Sequence, residues 1–360
     1  MINGFCQLRR DLMLGGMGWA ALGGTAHALP AKTLVFPRDR GSHPDFKTEW
    51  WYITGHAQSA GQAGIREFGF QLTFFRSRVD STQAMTSKFA AKQLMFAHAA
   101  ITDVQGKKLW HDQRIARDGF GVASSSELDM AIKLRDWSLA ADGKRYTAEL
   151  PASDFGLKLQ FNETQAVLLQ GKNGLSRKGP DEKQASYYYS QPQLATTGSL
   201  RVKGKTFSIA GTAWLDHEWS QEILAPGAVG WDWIGMNLLD GSALTAFRLR
   251  DKNGGAVWDG GSFRLANNEP RIFNRGEVIF KPMRLWKSPL TQTSYPVEWQ
   301  VLTPLDAYTI KAVIDNQELD SRQSTGAIYW EGLSELINSS GKKAGMGYLE
   351  MTGYGQPLQI

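Results

Sequence analysis

The sequence predicts an all-β protein folded as two antiparallel β-barrels in tandem, and three observations carry that reading. From about residue 33 onward, apolar and polar residues alternate in short segments bounded by Gly, Asp or Asn, the period of a strand with one buried face. Helical periods are scarce over the same stretch. Two pairs of segments also echo each other in the same order in the two halves of the chain, as expected of a repeat at domain scale.

The first 28 residues read as an export signal. Arg9 and Arg10 precede an apolar stretch from Leu12 to Ala26, and Ala26-His27-Ala28 has the small-x-small form of a cleavage site. The run "LRRDLMLGG" fits a twin-arginine signal, with an ordinary Sec signal as the alternative, and either route implies the periplasm. Cys6 precedes the apolar stretch, so cleavage leaves a mature chain without cysteine, indifferent to an oxidising compartment.

The strands follow in order. "WWYITGHA" (50–57), "REFGFQLTFFRS" (66–77), "LMFAHAAITDVQGKKLWHDQRI" (94–115) and "LKLQFNETQAVLLQ" (157–170) read as strands or hairpins, with turns near Gly106 and Asn162. The polar segments 77–93 and 172–186 read as long surface loops. The echo pairs "LTFFR" (72–76) with "LTAFR" (244–248), and "GTAWLD" (211–216) with "GMGYLE" (345–350). Pro226 and its neighbouring glycines in "EILAPGAVG" supply a linker, which divides the chain into a signal at 1–28 and domains at 29–225 and 226–360. Each half is large enough for an up-and-down barrel of roughly eight strands, a form that removes its own edges and can hold one small apolar ligand.

Composition narrows the partners. The 360 residues carry 40 Lys and Arg against 35 Asp and Glu, scattered without a basic stripe, which disfavours nucleic acid. Thirteen Trp, 17 Phe and 10 Tyr require a core or a ligand pocket to bury them. After residue 28 no apolar run reaches the roughly 18 to 20 residues of a membrane helix. The six histidines show no ligand spacing, so no metal is expected, and the absence of a G-x-S-x-G elbow, a Walker loop or a G-x-G-x-x-G turn disfavours hydrolases and nucleotide cofactors.

The segments "HPDFKTEWWYITGH" (43–56), "YYYSQPQL" (187–194), "GTAWLDHEW" (211–219), "GWDWIGMNL" (230–238) and "YWEG" to "GYLEMTGY" (329–354) resemble the carotenoid 1,2-hydratase (hydroxyneurosporene synthase, CrtC) family and its secreted AttH relatives. The resemblance spans nearly the whole mature chain. It implies two lipocalin-like barrels with a ligand cavity in or between them, and no cofactor. Hydratase members add water across a terminal double bond of acyclic carotenoids; other relatives bind hydrophobic ligands, guide pericyclic reactions, or accompany ABC-type export systems. The family's His-x-Trp pair matches His217 and Trp219, and its Tyr-x-Asp pair best matches Gly230 and Asp232, with glycine standing in place of the phenol. The resemblance thus implies Asp232 as an acid, His217 as the group that deprotonates or orients water, and the indoles of Trp219 and Trp231 as cation stabilisers.

Hydrating an alkene needs a proton delivered to carbon and a carbocation shielded until water attacks, hence a carboxylic acid kept protonated by an apolar site and flanked by aromatic faces. "WLDHEW" and "WDW" supply both residue types. On an extended strand Trp214, Asp216 and Glu218 share one face while His217 and Trp219 share the other, so only one set can line a given pocket. The ligand-binding candidates are Trp231, Trp233, Trp214 and Asp216, together with Glu49, Trp51 and Tyr189. The plainer alternative for Glu49, Asp216 and Asp232 is pairing with Arg76, Arg248 or Arg250 at strand ends. Two functions follow as expectations: an exported protein binding a hydrophobic small molecule, or a cofactor-free hydratase.

Overall fold

The computed structural model describes residues 28–61, 64–222 and 224–358; apart from Ala28, the segment read as an export signal lies outside the described residues. Among them, helix is confined to two three-residue 3-10 turns, Arg38–Arg40 and Asp80–Thr82. The rest is antiparallel sheet in the lipocalin-like manner: thirteen strands from the first half, ten from the second, and a two-stranded ribbon. The first sheet curls into a large, nearly closed barrel.

Eight central strands position everything that follows. In chain order they are β1 (Thr48–Gly61), β2 (Gly64–Arg78), β3 (Ala185–Val202) and β4 (Lys205–Ser220), then β5 (Ala228–Leu238), β6 (Ala243–Asp251), β7 (Ala327–Ile337) and β8 (Lys343–Met351). The first sheet runs β2-β1-β4-β3 through its centre and the second runs β6-β5-β8-β7. Residues flanking β1 and β2 continue the meander through Gln93–Asp103 and Lys108–Arg117, the hairpin whose turn lies near Gly106.

Registers make the correspondence residue by residue. Glu49 lies opposite Arg76 across β1 and β2, as Asp232 lies opposite Arg248 across β5 and β6. Trp50 faces Glu218 across β1 and β4, as Trp233 faces Glu350 across β5 and β8. The echo of "LTFFR" with "LTAFR" therefore sits in register, whereas "GTAWLD" and "GMGYLE" are offset by one pleat, so that Glu350 corresponds to Glu218 and not to Asp216.

Two segments differ from the sequence reading. Residues 157–170 do not pair as a hairpin: Phe155–Asn162 and Leu168–Leu169 both pair with β3, whose 18 residues offer room for two partners. Segment 172–186 is not wholly a surface loop, because Leu175–Arg177 pairs with β3 and Lys178 is buried. The reason is electrostatic: the Lys178 ammonium lies 2.8 Å from the Glu218 carboxylate beneath it.

The period of two sorts side chains among separate cores. Trp51, Ile53, Leu215 and Trp219 fill the first barrel; Ile234, Met236, Leu349 and Met351 belong to the core of the second sheet. The alternate residues Tyr52, Trp214, Trp233, Leu333 and Tyr348 form a third cluster between the sheets. Burying roughly 150–250 Å2 per aromatic ring at about 25 cal/mol per Å2 stabilises by about 4–6 kcal/mol before ordering costs, so this aromatic layer is a strong cement.

Candidate functional site

Between the two sheets lies a cavity of about 400 Å3. Its walls are aromatic, from Trp50, Tyr52 and Tyr188 of the first sheet and Trp231, Trp233 and Phe247 of the second. Four carboxyl groups enter it, Asp216 and Glu218 from β4, Glu331 from β7 and Glu350 from β8. Lys178 and His98 add to the polar lining.

The four acids differ in their surroundings. Glu218 is neutralised by Lys178 and accepts a hydrogen bond from Ser186. Asp216 accepts from Ser190 Oγ at 2.5 Å, from Trp214 Nε1 at 2.7 Å and from the Tyr188 hydroxyl at 2.7 Å. Tyr188 in turn accepts from Trp233 Nε1 at 3.3 Å, which ties Asp216 to both sheets. Burial outweighs these donors and pushes the Asp216 pKa up to about 7.

Glu331 and Glu350 stand directly opposite each other across β7 and β8. Glu331 is buried, accepts from Gln71 of the first sheet through Oε2, and leaves Oε1 without a partner. Its pKa is raised well above the carboxylate range, first by burial and then by the charge of Glu350. Glu350 keeps part of its surface open to the cavity; enclosure pushes its pKa up to about 7, against the Trp231 indole and with the help of Asp216 and Glu218. Two carboxyl groups so placed do not both ionise at neutral pH, so the pair holds at least one proton. The Tyr52 hydroxyl, on the facing sheet, is likewise buried without a partner.

His98 reaches the same region from the first sheet. Its Nδ1 lies 2.8 Å from the Tyr329 hydroxyl of β7 and its Nε2 2.9 Å from Ser324 Oγ, a contact that bridges the sheets. Burial lowers its pKa to about 3, so it is neutral at pH 7.

The residues expected from the sequence fall into three places. Asp216, Trp231 and Trp233 border the cavity, and Glu49 touches its edge while its carboxylate turns towards Arg76 and His217 in the first barrel. Trp214 sits in the same layer, donating to Asp216, without lining the space. His217, Trp219, Trp51 and Tyr189 lie elsewhere: they project from β4, β1 and β3 into the first barrel's interior, where these side chains are fully buried. Asp232 is likewise apart from the cavity, since it leaves β5 on the face opposite to its neighbours Trp231 and Trp233. His217 and Asp232 therefore cannot act together on one substrate.

Each displaced residue has a local explanation. Asp232 accepts from Arg248 Nε at 2.6 Å and from the Tyr354 hydroxyl at 2.8 Å, with Arg250 Nε at 3.6 Å. The phenol missing at Gly230 is thus supplied from the C-terminal segment. A Cβ at Gly230 would come within 2.2 Å of the Thr352 carbonyl oxygen, which explains the glycine. Glu49 Oε2 accepts from Arg76 Nε at 2.8 Å, while its Oε1 meets His217 Nε2 at 3.0 Å. Desolvation lowers the His217 pKa to about 4, and the hydrogen bonds to Glu49 hold that carboxylate well below its usual range despite burial.

Sequence reasoning did not single out Glu331, Glu350, Lys178 or His98. Glu331 and Glu350 carried a usable signal, because "YWEG" and "GYLE" place each acid beside an aromatic residue on a strand. Lys178 and His98 carried none.

Comparison with known proteins agrees with this architecture. The profile of the AttH-like family matches residues 27–354. The chain is similar to the crystal structure of an AttH protein from Nitrosomonas europaea, at 45% identity over 91% of this chain and 99% of that one, with a TM-score of 0.84. Kievitone hydratase from Nectria haematococca shares the fold at 13% identity, covering 90% of this chain and 94% of its own, with a TM-score of 0.69. CghA with Sch210972 does so at 12% identity, covering 94% and 97%, with a TM-score of 0.54. No curated protein matches the chain. The chain belongs to the AttH-like family.

Proposed function

We propose that this protein binds a hydrophobic, unsaturated small molecule in the cavity between its two sheets and protonates it, adding water to a carbon–carbon double bond without a cofactor. The observation that carries the reading is the Glu331–Glu350 pair, two carboxyl groups set opposite each other across β7 and β8 inside an aromatic cavity, where burial favours their protonated form. A pure carrier has no use for two carboxyl groups enclosed without a counter-ion, since each costs desolvation whenever it ionises.

In the reaction the protonated member of the pair, with Glu350 the more open to the cavity, gives its proton to the alkene carbon. The π electrons form the new C–H bond and leave a carbocation, which Trp50, Trp231 and Trp233 stabilise through their ring faces. Water adds to the cation and its extra proton returns to the carboxylate, so the pair ends as it began and one water is consumed. The walls keep other nucleophiles away while the cation lives. Kievitone hydratase, among the structures of the same fold, bears a name for this class of reaction. Export to the periplasm is part of the proposal and rests on Arg9, Arg10 and the apolar stretch after them.

The test is recovery of the protein from its own cells, solvent extraction, and identification of the bound molecule by mass spectrometry, followed by incubation of that molecule with protein in D2O. Deuterium on carbon together with an alcohol product, both lost in Glu350→Gln, is the expected result. A molecule released unchanged and free of deuterium would reduce the function to carriage.

A further inference from the structure

Inside the mouth of the first barrel, His43, Glu49 and His217 converge on one point. We propose that these three residues form a binding site for one divalent transition-metal ion of the zinc type, bound through His43 Nδ1, Glu49 Oε1 and His217 Nε2. Residues 43, 49 and 217 have no ligand spacing in the sequence; the antiparallel pairing of β1 with β4 brings two together, and the loop entering β1 adds the third.

The ligand atoms all lie within 4.8 Å of one another. Glu49 Oε1 is 2.7 Å from His43 Nδ1 and 3.0 Å from His217 Nε2. An ion held at about 2.1 Å from each in tetrahedral fashion spaces its ligand atoms about 3.4 Å apart, so binding widens the two contacts of Glu49 Oε1 by a few tenths of an ångström and draws the two imidazole nitrogens to a similar spacing. Two imidazoles and one carboxylate suit zinc and its neighbours, and not calcium or magnesium.

Hydrogen-bond accounting points the same way. His43 Nε2 lies 3.0 Å from Asp39 Oδ1 and 3.5 Å from Arg38 Nη1; the nearer carboxylate can only accept, so pairing with it puts the hydrogen on Nε2. In a neutral imidazole Nδ1 is then a lone pair, and it faces Glu49 Oε1, a second atom that can only accept. Two acceptors 2.7 Å apart require a cation between them, either a proton or a metal ion. The other atoms of the cluster are already committed. His217 Nδ1 is 3.3 Å from the Tyr189 hydroxyl, and Glu49 Oε2 accepts from Arg76 Nε, from Ser42 Oγ and from the His43 backbone N–H. Every convergent atom is thereby oriented by a partner on its far side, the arrangement that tunes metal-bound imidazoles.

Packing fixes the rings as well. His43 stacks on Trp219 at 3.8 Å between centroids and His217 on Trp51 at 4.8 Å. His43 and Asp39, each 5% exposed, are the members nearest solvent and give the ion its way in. A bound ion would pin the segment holding Arg38–Arg40 and His43 across the barrel mouth.

The experiment uses the full chain, stripped with EDTA and titrated with zinc chloride by calorimetry, with metal content measured after gel filtration. The expected result is one zinc per chain, a higher melting temperature with zinc, and at least about tenfold weaker binding in His43→Gln and in His217→Ala. Asp39→Asn should keep the stoichiometry and weaken affinity by about 10–100-fold. Absence of zinc binding by the wild-type chain, or unchanged binding in both histidine variants, would overturn the proposal in favour of a protonated His43. Should His217→Ala fail to fold, His43→Gln decides alone, because His43 lies outside the strands.

Discussion

Glu331 and Glu350 face each other across neighbouring strands of the second sheet, and the first sheet meets them with Gln71, the Tyr52 phenol, aromatic rings and the carboxyl groups of Asp216 and Glu218. That relationship explains why the cavity can hold a proton at neutral pH. Glu350→Gln is therefore expected to lower turnover of the bound molecule by about 10^2–10^4-fold, the usual worth of a positioned acid, while its affinity changes only a few-fold. Single-turnover product analysis beside equilibrium binding separates the two effects.

The same pair predicts how stability follows pH. Glu350 and Asp216 are raised to about 7 in the folded chain, from ordinary values of 4.5 and 3.8, so the folded state holds protons that the unfolded state has released. Stability from these groups is full below the unfolded values and is lost as pH rises towards about 7. His217 acts oppositely: lowered from 6.5 to about 4, it costs stability as pH falls through that window. Denaturant unfolding of Glu350→Gln between pH 5 and 8 should show a flatter loss on the alkaline side and an unchanged loss on the acid side.

Arg76 and Arg248 occupy corresponding positions but should not be equally sensitive. Arg76→Met leaves Glu49 buried without its guanidinium and is expected to cost about 3–5 kcal/mol. Arg248→Met should cost less, because Arg248 is more exposed than Arg76, whose guanidinium also donates to the His43 and Phe46 carbonyls. Equal losses in a denaturant titration would contradict this ordering.

The tryptophans divide by face. Trp51→Ala and Trp219→Ala open holes in the first barrel and should each destabilise by about 3–5 kcal/mol. Trp231→Ala, at a partly exposed cavity wall, should cost much less stability and more affinity for an apolar fluorescent probe. Thermal melts read beside probe titrations make the comparison.

Restoring the family's tyrosine by Gly230→Tyr should impair folding, since its Cβ collides with the Thr352 carbonyl. Tyr354→Phe removes the phenol that Asp232 uses and should cost about 1–3 kcal/mol. A soluble, fully stable Gly230→Tyr chain would show that the C-terminal segment can move aside.

The sequence was legible wherever physics is local. Alternation in "WLDHEW" separates Asp216 and Glu218 from His217 and Trp219, because successive side chains of a strand leave on opposite faces. The echo of "LTFFR" with "LTAFR" marks two strands that stand at the same place in two sheets. The Gly230 departure was visible, but its replacement by Tyr354, more than a hundred residues away, was not. Glu331 was passed over because an acid beside an aromatic residue is common in sheets, and only its neighbours distinguish it.

By itself, then, the sequence determined the strand class, the two-fold repetition, the parity of each face and, through its motifs, the family resemblance. The tertiary structure alone decided which face meets which. It turned the His217 face into the first barrel and the Asp216 face onto the second sheet, set Glu331 against Glu350, and carried His43 to His217. The reason is that a strand's own pattern specifies two faces but not their partners. Those are chosen by strand order and sheet packing, through contacts between residues far apart in the chain, where burial and neighbouring charge then set what each group can do.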